Sequence, residues 1–123
     1  MLFRSVVSGG FHELLDPLAE RLGLDFCRAN RLEVADGRLT GRIDGAIVDA
    51  HAKAAALEEW AAASGIRPDR TVAVGDGAND LEMLGRARLG VAFCAKPVVR
   101  ERADVAIDRP DLGQVLPLLG LRG

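Results

Sequence analysis

The chain has 123 residues, a formal net charge of −2 at pH 7, 49% hydrophobic residues and 28% charged residues. This length suits one domain, and the composition suits a globular protein with an apolar core rather than a disordered chain. The charge disfavours nucleic acid or an anionic membrane as a partner, and no apolar run approaches the roughly 18 residues that span a bilayer.

Cysteine usage and the start of the chain predict the compartment. Cys27 and Cys94 are too far apart for a CxxC motif, so we interpret them as reduced, buried thiols. The first residues, Met1 to Arg4, lack the layout of a signal peptide. Together these features predict a cytoplasmic protein.

The first third of the chain predicts a strand, a helix and a hairpin. Phe3 to Val7 is a short apolar run that predicts a strand ending in a glycine turn at 8–10. Leucines at helical spacing over 14–22 predict a helix that stops at Gly23. Asp36-Gly37, between alternating segments, predicts the turn of a β-hairpin.

The rest of the chain alternates predicted helices and strands. The predicted helices cover 50–64, a segment starting near residue 81, and 112–119, and the predicted strands cover 71–74, 89–93 and 103–107. This alternation predicts one α/β domain over residues 1–123, a Rossmann-like parallel sheet with helices on both faces and the hairpin as an insertion.

The second glycine turn, at 75–80, carries the strongest chemical signal. It places Asp76, Asn79 and Asp80 directly after a valine-rich strand, at the sheet edge where such folds bind ligands. Oxygen-only ligands suit a hard cation such as Mg²⁺. An alternative remains, because Asp-Gly is common in turns and Asn79 or Asp80 could cap the next helix.

Two further groups are candidates for binding an anion. Ser8 and the amides of Gly9 and Gly10, at a strand end that opens a helix, could bind phosphate, although a plain strand-to-helix turn has the same pattern. Lys53, early in the helix over 50–64, could supply a point charge to phosphate, although a solvated surface lysine is the simpler interpretation.

Taken together, these groups resemble a known superfamily. Ser8-Gly9-Gly10, Lys53 and the segment 75–80 occur in the order and approximate spacing of the second, third and fourth motifs of haloacid-dehalogenase phosphatases. The hairpin over 30–42 and Ala95-Lys96-Pro97 resemble the phosphoserine phosphatase branch of that superfamily in particular. The resemblance implies an incomplete core domain of this fold, without its cap.

The resemblance also implies roles for individual residues. The substrate- or phosphate-binding residues would be Ser8, Gly9, Gly10, Lys53 and Asn79, with Asn79 near the phosphate or the amino-acid end of the substrate. Asp76 would ligate Mg²⁺, and Asp80 would brace Lys53 and the loop, so that Lys53 and Asp80 serve catalysis. The implied reaction is the hydrolysis of O-phospho-L-serine to L-serine and phosphate in serine biosynthesis, with charge on the phosphoryl oxygens met by a cation and a metal.

The first motif of the superfamily, Asp-x-Asp-x-Thr, has no counterpart in this sequence. None of its Asp residues lies two positions from another. We therefore predict that the isolated chain lacks the nucleophile and has no phosphatase activity. The first-motif strand would lie between the strands at 3–7 and 71–74. Without it, the facing edges of these strands have unpaired backbone groups. Either the two strands close up, or a missing N-terminal segment or a second chain fills the gap, or the fold is only marginally stable.

Three functions remain open from the sequence. The first is a portion of a phosphoserine phosphatase, through truncation, a misplaced start codon or a split gene. The second is a catalytically dead module that binds phosphate, Mg²⁺ or a partner. The third is a phosphatase for another small phosphomonoester, because the absent cap would select the substrate. An in-frame Asp-x-Asp-x-Thr segment upstream of Met1 in the coding DNA would favour the first.

Overall fold

The computed structural model describes residues 3–121, which form six β-strands and five α-helices. In chain order these are β1 (Ser5–Phe11), α1 (His12–Leu22), β2 (Phe26–Ala35), β3 (Arg38–Asp44), α2 (Ala50–Ala63), β4 (Val72–Gly75), α3 (Leu81–Arg86), β5 (Leu89–Phe93), α4 (Pro97–Arg102), β6 (Val105–Ile107) and α5 (Val115–Leu118). No helix within residues 3–121 is long and apolar enough to cross a membrane.

The strands form two three-stranded sheets, with the orders β1-β2-β3 and β4-β5-β6. The pairs β1–β2, β4–β5 and β5–β6 are parallel, and only β2–β3 is antiparallel. The predicted α/β architecture with a parallel sheet is confirmed. The sheet is divided, however, because β1 and β4 do not pair with each other within the described residues.

The first glycine turn is not where the sequence predicted it. β1 continues through Ser8, Gly9 and Gly10 to Phe11, and its pairing with β2 shifts register between Val7 and Phe11. The helix α1 begins only at His12. The predicted strand-to-helix turn at 8–10 was therefore wrong, because an irregularity inside the strand accommodates the glycines. Consequently, the amides of Gly9 and Gly10 do not open a helix.

The hairpin turn is confirmed in detail. Asp36 has φ 53° and Gly37 has φ 73°, and two successive positive φ values are the signature of the type I′ turn that favours Asp-Gly. The hairpin is not a separate insertion, however. The first half of β2 pairs in parallel with β1, and its second half pairs with β3. β2 therefore belongs to the parallel sheet and to the hairpin at once.

The helix α2 packs against both sheets. Ala54 and Leu57 belong to the buried core, together with Ala73 of β4. Three residues further along, the ring of Trp60 stacks on Phe26 of β2, with centroids 5.4 Å apart and an interplanar angle of 8°. One helix, confirmed at its predicted position, thus holds the two halves of the domain together.

The structure also corrects two smaller expectations. The helix α4 was not predicted, although Pro97 at its first position is a recognised start signal. Cys94 was expected to be a buried thiol but is exposed, and its φ of 45° lies in the left-handed region. Cys27 is half-buried, and both cysteines are free.

A steric prediction follows from two glycines near α3. A Cβ added at Gly90 would lie 2.7 Å from the backbone oxygen of Leu84, whereas one added at Gly85 meets nothing within 4 Å. We expect Gly90→Ala to destabilise the fold by about 1–3 kcal/mol because backbone must move. Gly85→Ala, at an exposed position of α3, should be neutral or stabilising by up to about 1 kcal/mol. Urea unfolding of the two variants provides a matched comparison, and equal stabilities would contradict the close packing of Gly90 against Leu84.

Candidate active site

A buried ion pair lies at the centre of the candidate site. The Nζ of Lys53, in the first turn of α2, donates to Oδ1 of Asp80 at 2.8 Å. Both side chains are 8% exposed. Lys53 is therefore not a solvated surface lysine. Because burying two charges is costly unless they are paired and hydrogen-bonded, this contact fixes the start of α2 against the loop that follows β4.

The second oxygen of Asp80 shapes the loop at 75–80. Oδ2 accepts hydrogen bonds from the backbone N–H of Asp76 at 3.0 Å and of Gly77 at 3.2 Å. A Cβ on Gly75 would lie 2.6 Å from the Asp80 side chain, so only glycine fits there. Asp80 does not cap α3 with its side chain, and it reaches back instead into the loop. Asp80 thus does not cap α3, although its bond from the N–H of Gly77 caps the short 3₁₀ turn Ala78–Asp80 that precedes this helix.

The environment of Asp80 favours its charged form. Burial by itself would raise the pKa of this carboxyl, but the hydrogen bond from Lys53, the amides of Gly77 and Asp76 and the Lys53 charge together lower the pKa below its ordinary value. Asp80 is therefore a carboxylate at neutral pH. It serves as the fixed counter-charge of Lys53.

The Ser8 end of the site is held by Asn30. Oγ of Ser8 accepts from the N–H of Gly10 at 2.9 Å, so this amide is used within β1. Asn30 donates through Nδ2 to the carbonyl of Gly9 at 3.0 Å and accepts at Oδ1 from the N–H of Val48 at 2.7 Å. Asn30 is 5% exposed. No role was predicted for Asn30, although a polar residue at the start of the hairpin motif was a possible signal.

Asn30 connects β1 to the start of α2. Val48 precedes Asp49, which caps α2 by accepting from the N–H of Ala52 at 2.8 Å. The backbone N–H of Lys53 donates to the carbonyl of Asp49 at 3.0 Å. Hydrogen bonds and short stretches of backbone thus link Gly9 to Lys53, and Asp80 extends this link to the loop at 75–80.

The structure joins some of the predicted site residues directly and others only through this network. Lys53, Asp80 and the backbone of Asp76 are in direct contact. Within residues 3–121 no hydrogen bond or ion pair joins the Ser8 hydroxyl to Lys53 or Asp76. Asn79 is exposed, and its Oδ1 lies close to Gly77, 2.9 Å from where a Cβ would be.

Asp76 is the residue best suited to hold Mg²⁺. It is exposed, and its carboxylate accepts no hydrogen bond from the described residues. Mg²⁺ keeps several waters and binds proteins through one or two carboxylates, so a single exposed carboxylate fits its requirements. Both oxygens of Asp80 are already hydrogen-bonded, so Asp76 is the available ligand in this loop.

A second group of metal-binding side chains lies on α1 and β2, where His12, Asp16 and Cys27 approach within 4.8 Å of one another. Nδ1 of His12 contacts Asp16 at 2.6 Å, and Nε2 accepts from the N–H of Ala29 at 3.1 Å. Both imidazole nitrogens are thus engaged. Burial, with a smaller effect of Asp16, raises the pKa of the Cys27 thiol, which opposes thiolate ligation. This cluster joins α1 to β2.

Comparisons with known proteins place the chain in a family. The model of the haloacid dehalogenase-like hydrolases matches residues 4–85, two thirds of the chain. The chain belongs to the haloacid dehalogenase-like hydrolase family. Phosphoserine phosphatase of Streptomyces coelicolor is 60% identical over 116 residues, which are 94% of this chain and 28% of that protein.

Solved structures of the family agree with this assignment. A probable phosphoserine phosphatase from Vibrio cholerae superposes with a TM-score of 0.90 at 44% identity, covering 94% of this chain and 36% of that one. The structure of a phospho-aspartyl intermediate analogue of phosphoserine phosphatase superposes with a TM-score of 0.87 at 48% identity. The match covers 93% of this chain and 55% of that one. The chain thus spans between about a quarter and just over a half of these relatives.

The ion pair gives a prediction with a defined pH dependence. Because folding lowers the pKa of Asp80, its carboxylate stabilises the fold fully above the unfolded pKa of about 4, and this contribution is lost as pH falls through the folded value. Asp80→Asn leaves Lys53 buried and unpaired, so we expect a loss of about 3–5 kcal/mol at pH 7. The difference from the parent should shrink below about pH 4 in urea unfolding.

The matched control is Asp69→Asn. Asp69 pairs with Arg67 at 3.1 Å, but these side chains are 58% and 70% exposed. An exposed pair contributes at most about 1 kcal/mol, so this variant should unfold nearly as the parent does. An Asp80→Asn variant as stable as Asp69→Asn at pH 7 would show that the buried pair does not organise the site.

Proposed function

We propose that this chain is the phosphate-handling part of a Mg²⁺-dependent phosphoserine phosphatase. One observation carries the proposal: Lys53 is buried, and only one of its three N–H groups has an acceptor within residues 3–121, namely Asp80. A buried ammonium with two donors to spare is suited to an anion with several oxygens. The high identity to phosphoserine phosphatases supports O-phospho-L-serine as that anion's source.

The surrounding residues suit the chemistry of phosphoryl transfer. The cation of Lys53 would offset charge on the equatorial oxygens of the transferring group, where fixed electrostatics contribute most. Since Oγ of Ser8 accepts from Gly10, its own hydrogen is free to donate to a phosphate oxygen. The Gly9 amide would add a second donor. Exposed Asn79 would contact the substrate outside the phosphate.

Mg²⁺, when bound at Asp76, would supply Lewis-acid polarisation of the phosphoryl oxygens. The protein's own contribution at this point is positional. Asp80 holds the amides of Asp76 and Gly77, so the loop that carries the metal ligand is fixed relative to Lys53. Because Asp80 contacts both groups, its carboxylate would hold the metal ligand Asp76 and the ammonium of Lys53 near the same phosphate.

The nucleophile of the reaction would come from outside these 123 residues. The sequence has no Asp-x-Asp pair, and a relative with 48% identity forms a phospho-aspartyl intermediate analogue. We therefore propose that the chain alone binds phosphate without hydrolysing its ester. We also propose a cytoplasmic enzyme of serine biosynthesis, which agrees with two cysteines that form no disulfide in the described structure.

A chimeric enzyme tests this function. This chain would replace the 116 residues that it matches in the Streptomyces coelicolor phosphatase. We expect the chimera to release phosphate from O-phospho-L-serine with Mg²⁺ and to lose this activity with EDTA. The isolated 123-residue chain should show no turnover. Turnover by the isolated chain would contradict the missing nucleophile, and a folded but inactive chimera would favour a non-catalytic binding module.

Variants of the chimera separate the roles of the site residues. Lys53→Met should lower kcat by about 10²-fold or more, because it removes a charge that acts in the transition state. Asp76→Asn should raise the Mg²⁺ concentration needed for half-maximal activity at least about tenfold, with partial recovery at high Mg²⁺. The exposed Asp36→Asn in the hairpin turn is the matched control. A normal Mg²⁺ requirement in Asp76→Asn would exclude this residue as the ligand.

A further inference from the structure

The loop that connects β5 to α4 contacts the backbone of the candidate metal ligand. This loop, at 94–96, follows the carboxyl end of β5, the strand that pairs with β4. Its last residue, Lys96, donates its backbone N–H to the carbonyl of Asp76 at 3.3 Å. The loop at 75–80, which carries Asp76, is therefore anchored by a second segment of the chain as well as by the side chain of Asp80.

The two peptide groups that flank Asp76 are both held by hydrogen bonds. In the preceding group, the N–H of Asp76 donates to Oδ2 of Asp80 at 3.0 Å. In the following group, the carbonyl of Asp76 accepts from Lys96, and the N–H of Gly77 donates to Oδ2 of Asp80 at 3.2 Å. Because each peptide group is planar, holding both groups restrains φ and ψ of Asp76. The direction in which the Asp76 side chain leaves the backbone is thereby restrained too.

The contact with Lys96 does what Asp80 alone does not do. In a trans peptide group the N–H and the C=O point in opposite directions. Asp80 holds only the N–H end of the group between Asp76 and Gly77, and one hydrogen bond leaves this plane free to tilt. Lys96 holds the opposite end of the same group. The two contacts together prevent the tilt.

Cys94 gives this loop an unusual backbone conformation. Its φ of 45° lies in the left-handed region, which residues other than Gly, Asn and Asp seldom adopt. The N–H of Cys94 donates to the carbonyl of Ile107, the last residue of β6, at 2.7 Å. Such a conformation persists where the surroundings over-determine it, and it is frequent in functional segments. Two residues after this turn, the chain contacts the loop at 75–80.

The backbone of Lys96 is suited to a clean substitution. Its φ is −65° and its ψ is 154°, and Pro97 then begins α4. A proline ring imposes a φ of about −65° and removes the N–H. Lys96→Pro therefore deletes the donor to Asp76 and keeps the φ that residue 96 already has. Lys96→Ala deletes the same exposed side chain and keeps the donor.

We propose that Lys96 is a positioning residue for metal binding. Its N–H, placed by the left-handed turn at Cys94, fixes the peptide group that follows Asp76 and so sets the direction of the Asp76 carboxylate. This role rests on the proposed function in one respect, namely that Asp76 is the Mg²⁺ ligand. Metal affinity then depends on a loop that contributes no ligand of its own.

Mn²⁺ binding to the chimeric enzyme tests this role without turnover. Mn²⁺ takes the same oxygen ligands as Mg²⁺, and electron paramagnetic resonance measures its free concentration. We expect Lys96→Pro to weaken Mn²⁺ binding about three- to tenfold, the effect of one lost hydrogen bond. Lys96→Ala should bind Mn²⁺ at least as tightly as the parent chimera, because it only removes a positive charge. Equal Mn²⁺ affinity of the two variants would overturn the proposal.

Asp104→Ala separates positioning from a general loss of stability. Oδ2 of Asp104 accepts from the N–H of Gly90 at 2.7 Å, at the end of β5 opposite to Cys94. Urea unfolding should show that Asp104→Ala and Lys96→Pro both destabilise the chimera, whereas only Lys96→Pro should lose Mn²⁺ affinity. The same loss of affinity in Asp104→Ala would show that the Lys96 N–H only stabilises the fold, and would overturn the proposal.

Substitutions at Cys94 keep the test decisive even if proline at position 96 prevents folding. Cys94→Val places a β-branched side chain at a positive φ and should displace the turn, whereas Cys94→Gly accepts this φ without steric cost. We expect weaker Mn²⁺ binding by Cys94→Val only, and equal affinity of the two variants would overturn the role of the turn. A parent chimera that binds no Mn²⁺ would overturn the metal site of the proposed function and this role with it. A parent that binds Mn²⁺ while the Lys96 variants bind it equally would overturn this role alone.

Discussion

The contact between Lys53 and Asp80 is the constraint on which the candidate site depends. Two buried charges tolerate little displacement, because separating them by a few ångströms leaves each charge in an apolar environment. The other carboxylate oxygen of Asp80 accepts hydrogen bonds from two loop amides, so one side chain joins the loop to Lys53 at the start of α2. A pair that would contribute little on the surface becomes a positioning device when it is buried and shared in this way.

The same helix that carries Lys53 also joins the two halves of the domain. No strand hydrogen bonds connect the sheets within residues 3–121, so the connection depends on side-chain packing. The α2 helix supplies small residues to the core and Trp60 to the ring of Phe26, while Arg28 lies over the same indole at 5.2 Å. The candidate site therefore lies where α2 packs the two sheets together.

Asn30 has a comparable part at the other end of the site. A buried carboxamide that donates to one segment and accepts from another fixes both, since each unpaired backbone group would cost about 1–3 kcal/mol. It aligns the glycine stretch of β1 with the start of α2, although these segments are far apart in the chain. Hydrogen bonds thus connect these polar residues into one set that spans β1, the start of α2 and the loop at 75–80.

The sequence by itself determined what local chemistry fixes. Asp36-Gly37 specified the hairpin turn, the alanine-rich segment specified α2, and the pattern of motifs specified the haloacid dehalogenase-like family. Only the tertiary structure decided the burial of Lys53, the backward reach of Asp80 and the role of Asn30, because each depends on partners far away in sequence. It also placed Gly9 and Gly10 inside β1, in the irregularity between the paired residues Val7 and Phe11, because the pairing of Phe11 with Asn30 extends the strand past them. The division into two sheets also depends on the tertiary structure, because the sequence alone does not show whether the edges of β1 and β4 meet and pair.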